Sequence, residues 1–282
     1  MRIERARELG LCFGVRRAVN ILRDATQRYG ALQTLGPLAH NRVLLQELEA
    51  LGVTTVDAPE GLTGPTVVIS SHGIGPDLMR TLGERGFTVI DTTCPNVARA
   101  QQIAAAMSRK GLTIVIFGDS HHSEVRGLLG WTGGCGIAAL DPASVSAAPM
   151  SCGPEGVGII SQTTQRLEDF TAFAQRVCGI VLAGSREVRI VNTLCDATRK
   201  RQEAAGELAR RVDAMIVIGG HASANTRRLA ETCAEIVETH LIESADELDE
   251  TLLRGKNRVG LTAGASTPDS SIDEVENRLL GL

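Results

Sequence analysis

Short apolar runs alternate along the chain with polar turns and with longer stretches whose apolar residues recur every three or four positions. The runs read as buried strands and the stretches as amphipathic helices. Together they predict nine strand-turn-helix units. In the first, strand 3–9 passes through Gly-Leu-Cys-Phe-Gly-Val at residues 10–15 into helix 15–29. The second passes through His40-Asn41 into helix 42–51, and the third takes strand 66–70 through Ser71-His72-Gly73 into helix 76–85. A second set opens on Val89-Ile90-Asp91-Thr92-Thr93-Cys94 and helix 96–110. It continues with strand 112–117 and Gly118-Asp119-Ser120-His121-His122-Ser123-Glu124, then strand 157–160, Ser161-Gln162-Thr163-Thr164 and a helix ending at 177. The third set has Ile190-Val191-Asn192-Thr193-Leu194-Cys195 and helix 197–211. Strand 214–218 then leads to Gly219-Gly220-His221-Ala222-Ser223-Ala224-Asn225, and strand 259–262 to Ala263-Gly264-Ala265-Ser266.

Strands that alternate with helices imply parallel sheets covered on both faces, with ligands bound beyond the carboxyl ends of the strands. Every polar signature falls at that end. Cys12, Cys94 and Cys195 occupy the same place in their sets and lie 82 and 101 residues apart, about one small α/β domain each. The expected fold is α/β, with three small parallel-sheet domains in pseudo-threefold arrangement around a central site. Its domains span 13–93, 94–193 and 194–282, the last completed by strand 1–12. Residues 53–56, 136–140 and 236–241 read as additional strands and 147–158 as a Gly-, Pro- and Ser-containing loop.

The composition narrows the class of function. With 282 residues, 43% hydrophobic, 22% charged and a net charge of −4, this is a soluble globular chain without the basic surplus that nucleic acid requires. The pairs Arg16-Arg17, Arg210-Arg211 and Arg227-Arg228 read as solvated helix faces. No apolar run approaches about 18 residues and no signal peptide is evident, so the expected location is the cytoplasm, away from membranes. Seven cysteines in a reducing compartment, without a Cys-x-x-Cys pair, argue against a disulfide framework. Any that bind metal must converge through the fold.

Thiolates are soft ligands that select zinc or iron–sulfur clusters, and a helix N-terminus favours the thiolate. Three of them are one short of closure. On a cubane cluster this leaves one iron open as a Lewis acid, whereas zinc would take a fourth ligand and form a structural site. Cys135, Cys152, Cys178 and Cys233 lack the strand-to-helix placement and read as structural. His40, His72 and His122, with Thr163, Thr164, Ser223, Asn225 and Ser266, supply donors at helix N-termini that suit a phosphate or diphosphate. Walker and dinucleotide fingerprints are absent, which argues against a nucleotide. Glu124, two residues beyond His122, faces the same centre. Desolvation and like charge there would favour its protonated form, as a general acid requires.

These stretches, nine in order from Cys12-Phe13-Gly14-Val15 to Thr262-Ala263-Gly264-Ala265-Ser266, resemble the 4-hydroxy-3-methylbut-2-enyl diphosphate reductase family of the methylerythritol phosphate route to isoprenoids. The resemblance implies that Cys12, Cys94 and Cys195 hold a 4Fe-4S cluster whose open iron takes the substrate hydroxyl. It also implies that His40, His72, His122, Ser223, Asn225 and Ser266 hold the diphosphate, with Thr164 and Ala224 in the same turns. Thr163 would orient the hydroxyl and Glu124, beside His122, would deliver the proton. Two electrons from a ferredoxin or flavodoxin system would then yield isopentenyl and dimethylallyl diphosphates. Ala224 stands where Ser is common in the family and Ser123 where Pro is common, and His121 is an extra turn residue. A missing hydroxyl that donated a hydrogen bond would cost about 0.5–1.5 kcal/mol. The competing readings are another open-iron enzyme, such as a quinolinate-synthase-like dehydratase, and a non-catalytic three-cysteine cluster or zinc protein. Glu124 separates enzyme from sensor, because a sensor needs no proton donor.

Overall fold

The computed structural model describes residues 1–147 and 155–281, so Cys152 and residues 148–154 of the expected loop lie outside the described residues. Strand β1 (Arg2–Arg5) leads to helix α1 (Phe13–Tyr29). Then come β2 (Leu32–Leu35), α2 (Arg42–Ala50), β3 (Val53–Val56), β4 (Thr66–Ile69), α3 (Pro76–Glu84) and β5 (Thr88–Asp91). The middle of the chain contains α4 (Pro95–Ser108), β6 (Leu112–Phe117), α5 (Ser123–Gly130), β7 (Gly136–Ala139), α6 (Pro142–Ala147), β8 (Gly156–Ser161), α7 (Leu167–Val181) and β9 (Glu187–Ile190). Helix α8 (Asp196–Ala209), β10 (Ala214–Ile218), α9 (Ala224–Ala234), β11 (Thr239–Ile242), β12 (Arg258–Ala263) and α10 (Asp269–Leu280) complete the order.

The described strands form three four-stranded sheets, ordered β3-β2-β4-β5, β7-β6-β8-β9 and β11-β10-β12-β1. Each repeats one topology, and in the last sheet the N-terminal strand fills the outer place, with Arg2 opposite Arg258 in parallel register. The parallel pairing expected from the strand-helix alternation is seen in all three sheets. In every sheet the outer fourth strand is the one that runs toward a cysteine of the repeated set. The order reverses between the central strands β2 and β4, β6 and β8, and β10 and β12. Such a switch point opens a crevice at the strand ends.

By packing, the chain divides into two compact units. One comprises Met1–Leu32, Pro37–Thr54 and Asp196–Leu282, and the other Gln33–Gly36 and Thr55–Cys195. In the first, alternate residues of β10 face opposite layers, as the two-residue repeat of a strand requires. Ala214, Ile216 and Ile218 pack with Ile272, Val275 and Leu279 of α10, whereas Met215 and Val217 pack with Leu208 of α8 and Leu229 and Cys233 of α9. In the second unit, Ile114 and Ile116 of β6 meet Ala104 of α4 and Leu128 of α5. Val115 and Phe117 face Phe170, Phe173 and Val177 of α7. Strand β4 is buried throughout, with Val67 and Ile69 against Leu82 of α3.

The structure departs from the expected pattern at several boundaries, among them the end of α7 at Val181 rather than 177, and in one added helix. Strand β1 ends at Arg5 rather than residue 9, because after the Ala6 amide bonds Leu261 the chain turns through Gly10 at φ 75. Strand β11 starts at Thr239 rather than 236, because the Ile236 and Val237 amides bond back to the Cys233 carbonyl and close α9. Helix α6 lacks the apolar periodicity that would have marked it in the sequence. No helix among the described residues is long and apolar enough to cross a membrane.

Candidate active site

The three cysteines share one local construction. The Cys12 amide donates to Ala265 O at 2.9 Å, the Cys94 amide to Ser71 O at 3.0 Å and the Cys195 amide to Thr163 O at 2.9 Å. In each case the chain leaving the outer strand is stitched to the loop after the neighbouring central strand. Two residues before the cysteine, Thr92 Oγ1 donates to Ile69 O at 2.5 Å and Thr193 Oγ1 to Ser161 O at 2.6 Å. Gly10 has no such side chain. There the buried Arg201 grips the Gly10 carbonyl through Nε at 3.2 Å and its second guanidinium nitrogen at 2.8 Å. Cys12 caps α1, its sulfur accepting the Val15 amide at 3.4 Å, and Cys94 caps α4. Cys195 directly precedes α8. All three are half-buried, and no disulfide links the described cysteines. Cys233, by contrast, is fully buried and its thiol is pushed up to about 12 by desolvation, which keeps it protonated and unreactive.

Within the second unit the expected acid is tied to a cysteine. Glu124, 2% exposed, is the second residue of α5 and lies in its first turn, beyond the cap His122. Its Oε1 accepts the Thr163 amide at 2.6 Å and its Oε2 the Thr163 hydroxyl at 3.0 Å. Thr163 therefore donates twice to the acid and accepts from the Cys195 amide. Asn96, two residues past Cys94, donates Nδ2 to the Cys195 sulfur at 3.1 Å, which brings that sulfur to the first turn of the Cys94 helix. His122 Nδ1 accepts the Glu124 amide at 3.2 Å, so the neutral ring carries its proton on Nε2. The His72 ring stands edge-on to His122 at 5.5 Å between centroids, and its Nδ1 lies 3.4 Å from Ser70 Oγ. Thr164 Oγ1 accepts from Gln162 Nε2 at 3.2 Å and thus serves the turn. His121 is exposed and its amide bonds Asp119, as a solvent-facing turn residue would.

A glycine seam holds the His72 loop against α5. Gly75 and Gly130 meet backbone to backbone, so that a Cβ on Gly130 would stand 2.8 Å from Gly75 Cα, and Trp131 Nε1 donates to Ile74 O at 2.9 Å. Gly73 adopts φ +70, with a Cβ there falling 2.5 Å from Gln101 Nε2. Gly130→Ala should therefore lose about 1–3 kcal/mol in denaturant melts, as overpacking does. Turnover should fall with it, because the displaced loop carries His72. Gly83→Ala, where a new Cβ meets nothing within 4 Å, should keep or raise stability.

Ser123, where the family resemblance favours Pro, is the first residue of α5, and its buried hydroxyl has no partner among the described residues. His122 before it holds φ −69 and ψ 137, a conformation that a following proline tolerates. Ser123→Pro should raise stability by about 0.4–1 kcal/mol, read as a higher melting temperature.

The first unit gathers the other expected donors. Ser223 caps α9, its Oγ accepting the Thr226 amide at 3.3 Å. Asn225 follows in the first turn, 8% exposed, with Nδ2 unpartnered among the described residues. Ser266, 6% exposed, lies in the loop after β12 that receives the Cys12 amide. Ala224 is buried at the start of α9 and adds no donor. His40 lies in the segment before α2, and its carbonyl abuts Gly220 in the loop that precedes Ser223. Burial lowers the His40 imidazole below its usual range and the Arg227 guanidinium adds to the effect, so the ring is neutral at pH 7 and presents one N–H. A buried amide without a partner among the described residues, at the start of α9, suits an acceptor such as a phosphate oxygen.

Asn96, Arg201 and Gln162 were not among the residues expected from sequence. Asn96 and Arg201 sit within helical stretches, where an amide or a guanidinium carries no mark of its partner. Gln162 lay inside a recognised turn, and its Oε1 accepts from the Asp119 amide at 3.4 Å and from Gln165 Nε2 at 3.2 Å.

Strand-end crevices on an α/β scaffold, with a buried acid paired to a hydroxyl and bonded through one residue to a half-buried cysteine, define an enzyme. A family model described as LytB protein matches residues 3–280, and the chain belongs to that family. The 4-hydroxy-3-methylbut-2-enyl diphosphate reductase of Dehalococcoides mccartyi is 47% identical over 275 residues, covering 98% of this chain and 96% of that protein. The enzyme of the same name from Geobacter sulfurreducens is 41% identical over 280 residues, covering 99% and 97%. A solved structure of (E)-4-hydroxy-3-methyl-but-2-enyl diphosphate reductase, the terminal enzyme of the non-mevalonate pathway, matches with a TM-score of 0.72 at 38% identity over 100% of both chains. The reductase structure from Plasmodium falciparum, at 22% identity and a TM-score of 0.90 over 98% of this chain and 87% of that one, is a likeness of fold.

Proposed function

We propose that the chain catalyses the two-electron reductive dehydroxylation of 4-hydroxy-3-methylbut-2-enyl diphosphate to isopentenyl and dimethylallyl diphosphates. The observation that carries this reading is Thr163, which gives its amide and hydroxyl to the buried Glu124 and its carbonyl to Cys195. A sensor has no use for an acid held this way. Family membership and the reductase relatives support the substrate class.

Cys12, Cys94 and Cys195 would hold a 4Fe-4S cluster. The donor set fits: three half-buried thiols, each at the start of a helix, with backbone amides already committed. When bound, the cluster supplies electrons and an open Lewis-acidic iron. The chain's own residues do the rest. The neutral His40, His72 with its Nδ1 beside Ser70, and His122 with its proton on Nε2 offer donors to the diphosphate oxygens. Ser223, Asn225 and Ser266 add hydroxyl and amide donors at the start of α9 and after β12. The Thr163 hydroxyl orients the substrate hydroxyl. When Glu124 is protonated the bond to Thr163 reverses: Oε2–H donates to Thr163 Oγ1, the threonine hydroxyl turns to the departing oxygen, and the carboxyl proton reaches that oxygen through Oγ1. Oε2 and Oγ1 start 3.0 Å apart, within proton-transfer reach. Water leaves, two electrons arrive from a ferredoxin- or flavodoxin-type carrier, and a second proton goes to carbon to form the C–H bond of either product, so that two electrons and two protons are consumed.

Anaerobic reconstitution with iron and sulfide tests the cluster. The protein should turn brown, and its absorption spectrum should change when the hydroxylated diphosphate is added. A colourless protein that keeps stoichiometric zinc would instead establish a structural metal site.

A further inference from the structure

We infer that Asn96 sets the reduction potential of the cluster by donating its side-chain N–H to the Cys195 sulfur. The inference rests on the cluster assignment above. The contact is 3.1 Å from Nδ2 to Sγ. A metal-bound thiolate only accepts, so the amide must present its nitrogen and not its oxygen. Its position is built into the helix start: Cys94 caps α4, Pro95 occupies the first helical position with its φ already set, and Asn96 comes next. Asn96 is exposed and contributes nothing to the core, so the bond to sulfur is what its side chain does. The Cys12 sulfur differs, because its partner is the Val15 main-chain amide, which a side-chain substitution leaves in place.

Adding an electron to a thiolate-ligated cluster places further negative charge on its sulfurs. An N–H dipole aimed at one of them stabilises the reduced state more than the oxidised one, and hydrogen bonds to sulfur are among the determinants of cluster potential. The Asn96 contact therefore raises the potential. Replacement by Leu removes the dipole at nearly equal volume, and replacement by Asp substitutes a negative charge.

The wild type, Asn96→Leu and Asn96→Asp are reconstituted anaerobically, assayed for iron and sulfide, and titrated spectroelectrochemically. All three should hold the same iron, and the midpoint should fall from wild type to Leu to Asp. The reduction equilibrium constant of Asn96→Leu should drop about tenfold, which is about 59 mV for a one-electron couple. Equal midpoints at full iron content overturn the inference and leave the cluster assignment standing. Loss of iron from both variants, with a full wild type, also overturns it, since Asn96 would then hold the ligand in place without tuning its potential. A wild type that binds no iron overturns the assignment and the inference together.

Discussion

Glu124→Gln keeps the cluster and the diphosphate but loses turnover by about 10²–10⁴-fold, the contribution expected of a positioned general acid. The glutamine is nearly isosteric. Its oxygen still accepts the Thr163 amide, which now holds Glu124 Oε1 at 2.6 Å, and its nitrogen can donate to the Thr163 hydroxyl in place of the bond to Oε2. What it lacks is a proton to give. The loss should therefore fall on kcat with little change in KM. The buried position makes the comparison clean, because at 2% exposure bulk water has no direct route to replace the acid. Steady-state assays on reconstituted protein, with iron content and substrate-induced spectral change measured in parallel, separate a chemical defect from a binding one. Near-normal kcat in this variant would refute the role.

Cys94→Ser loses most of its iron, whereas Cys178→Ser keeps it. Cys94 begins α4 with its amide fixed on Ser71, in the construction that Cys12 and Cys195 repeat, and Cys178 lies near the end of α7, remote in sequence from any strand-to-helix turn. Both are half-buried, so exposure does not distinguish them. A serine oxygen is a harder ligand that suits an iron–sulfur site poorly. Even partners of ligands change metal affinity by about 10–100-fold, and loss of a ligand should exceed that range. Iron and acid-labile sulfide per chain after anaerobic reconstitution and gel filtration give the answer. Equal losses from the two variants would count against the ligand assignment.

Much of this architecture was legible because the chain says it three times. One strand-turn-cysteine-helix pattern, with polar turns at the other strand ends, marked the element types, the parallel sheets and the end of the sheets at which the cysteines and polar turns lie. The identical 2-1-3-4 strand order was not readable, because a strand's neighbours in the sheet are set by tertiary pairing and not by the local pattern. Glu124 and Thr163 each stand out in the sequence as candidates by their turns. That one residue would bond both oxygens of the acid, across 39 positions, depends on the tertiary placement of β6 and β8. Asn96 and Arg201 carried even less signal. Arg201 looks like a helix-surface cation in the sequence, yet its buried guanidinium holds the Gly10 carbonyl, at the position where Thr92 and Thr193 use their own hydroxyls to bond the neighbouring strand end.

Reconstituted protein is incubated anaerobically with 4-hydroxy-3-methylbut-2-enyl diphosphate and a strong one-electron reductant, and the products are separated and identified. Isopentenyl and dimethylallyl diphosphates, formed with two electrons consumed per molecule, are the predicted result. A protein with its full complement of iron and sulfide that leaves the substrate unchanged would contradict it.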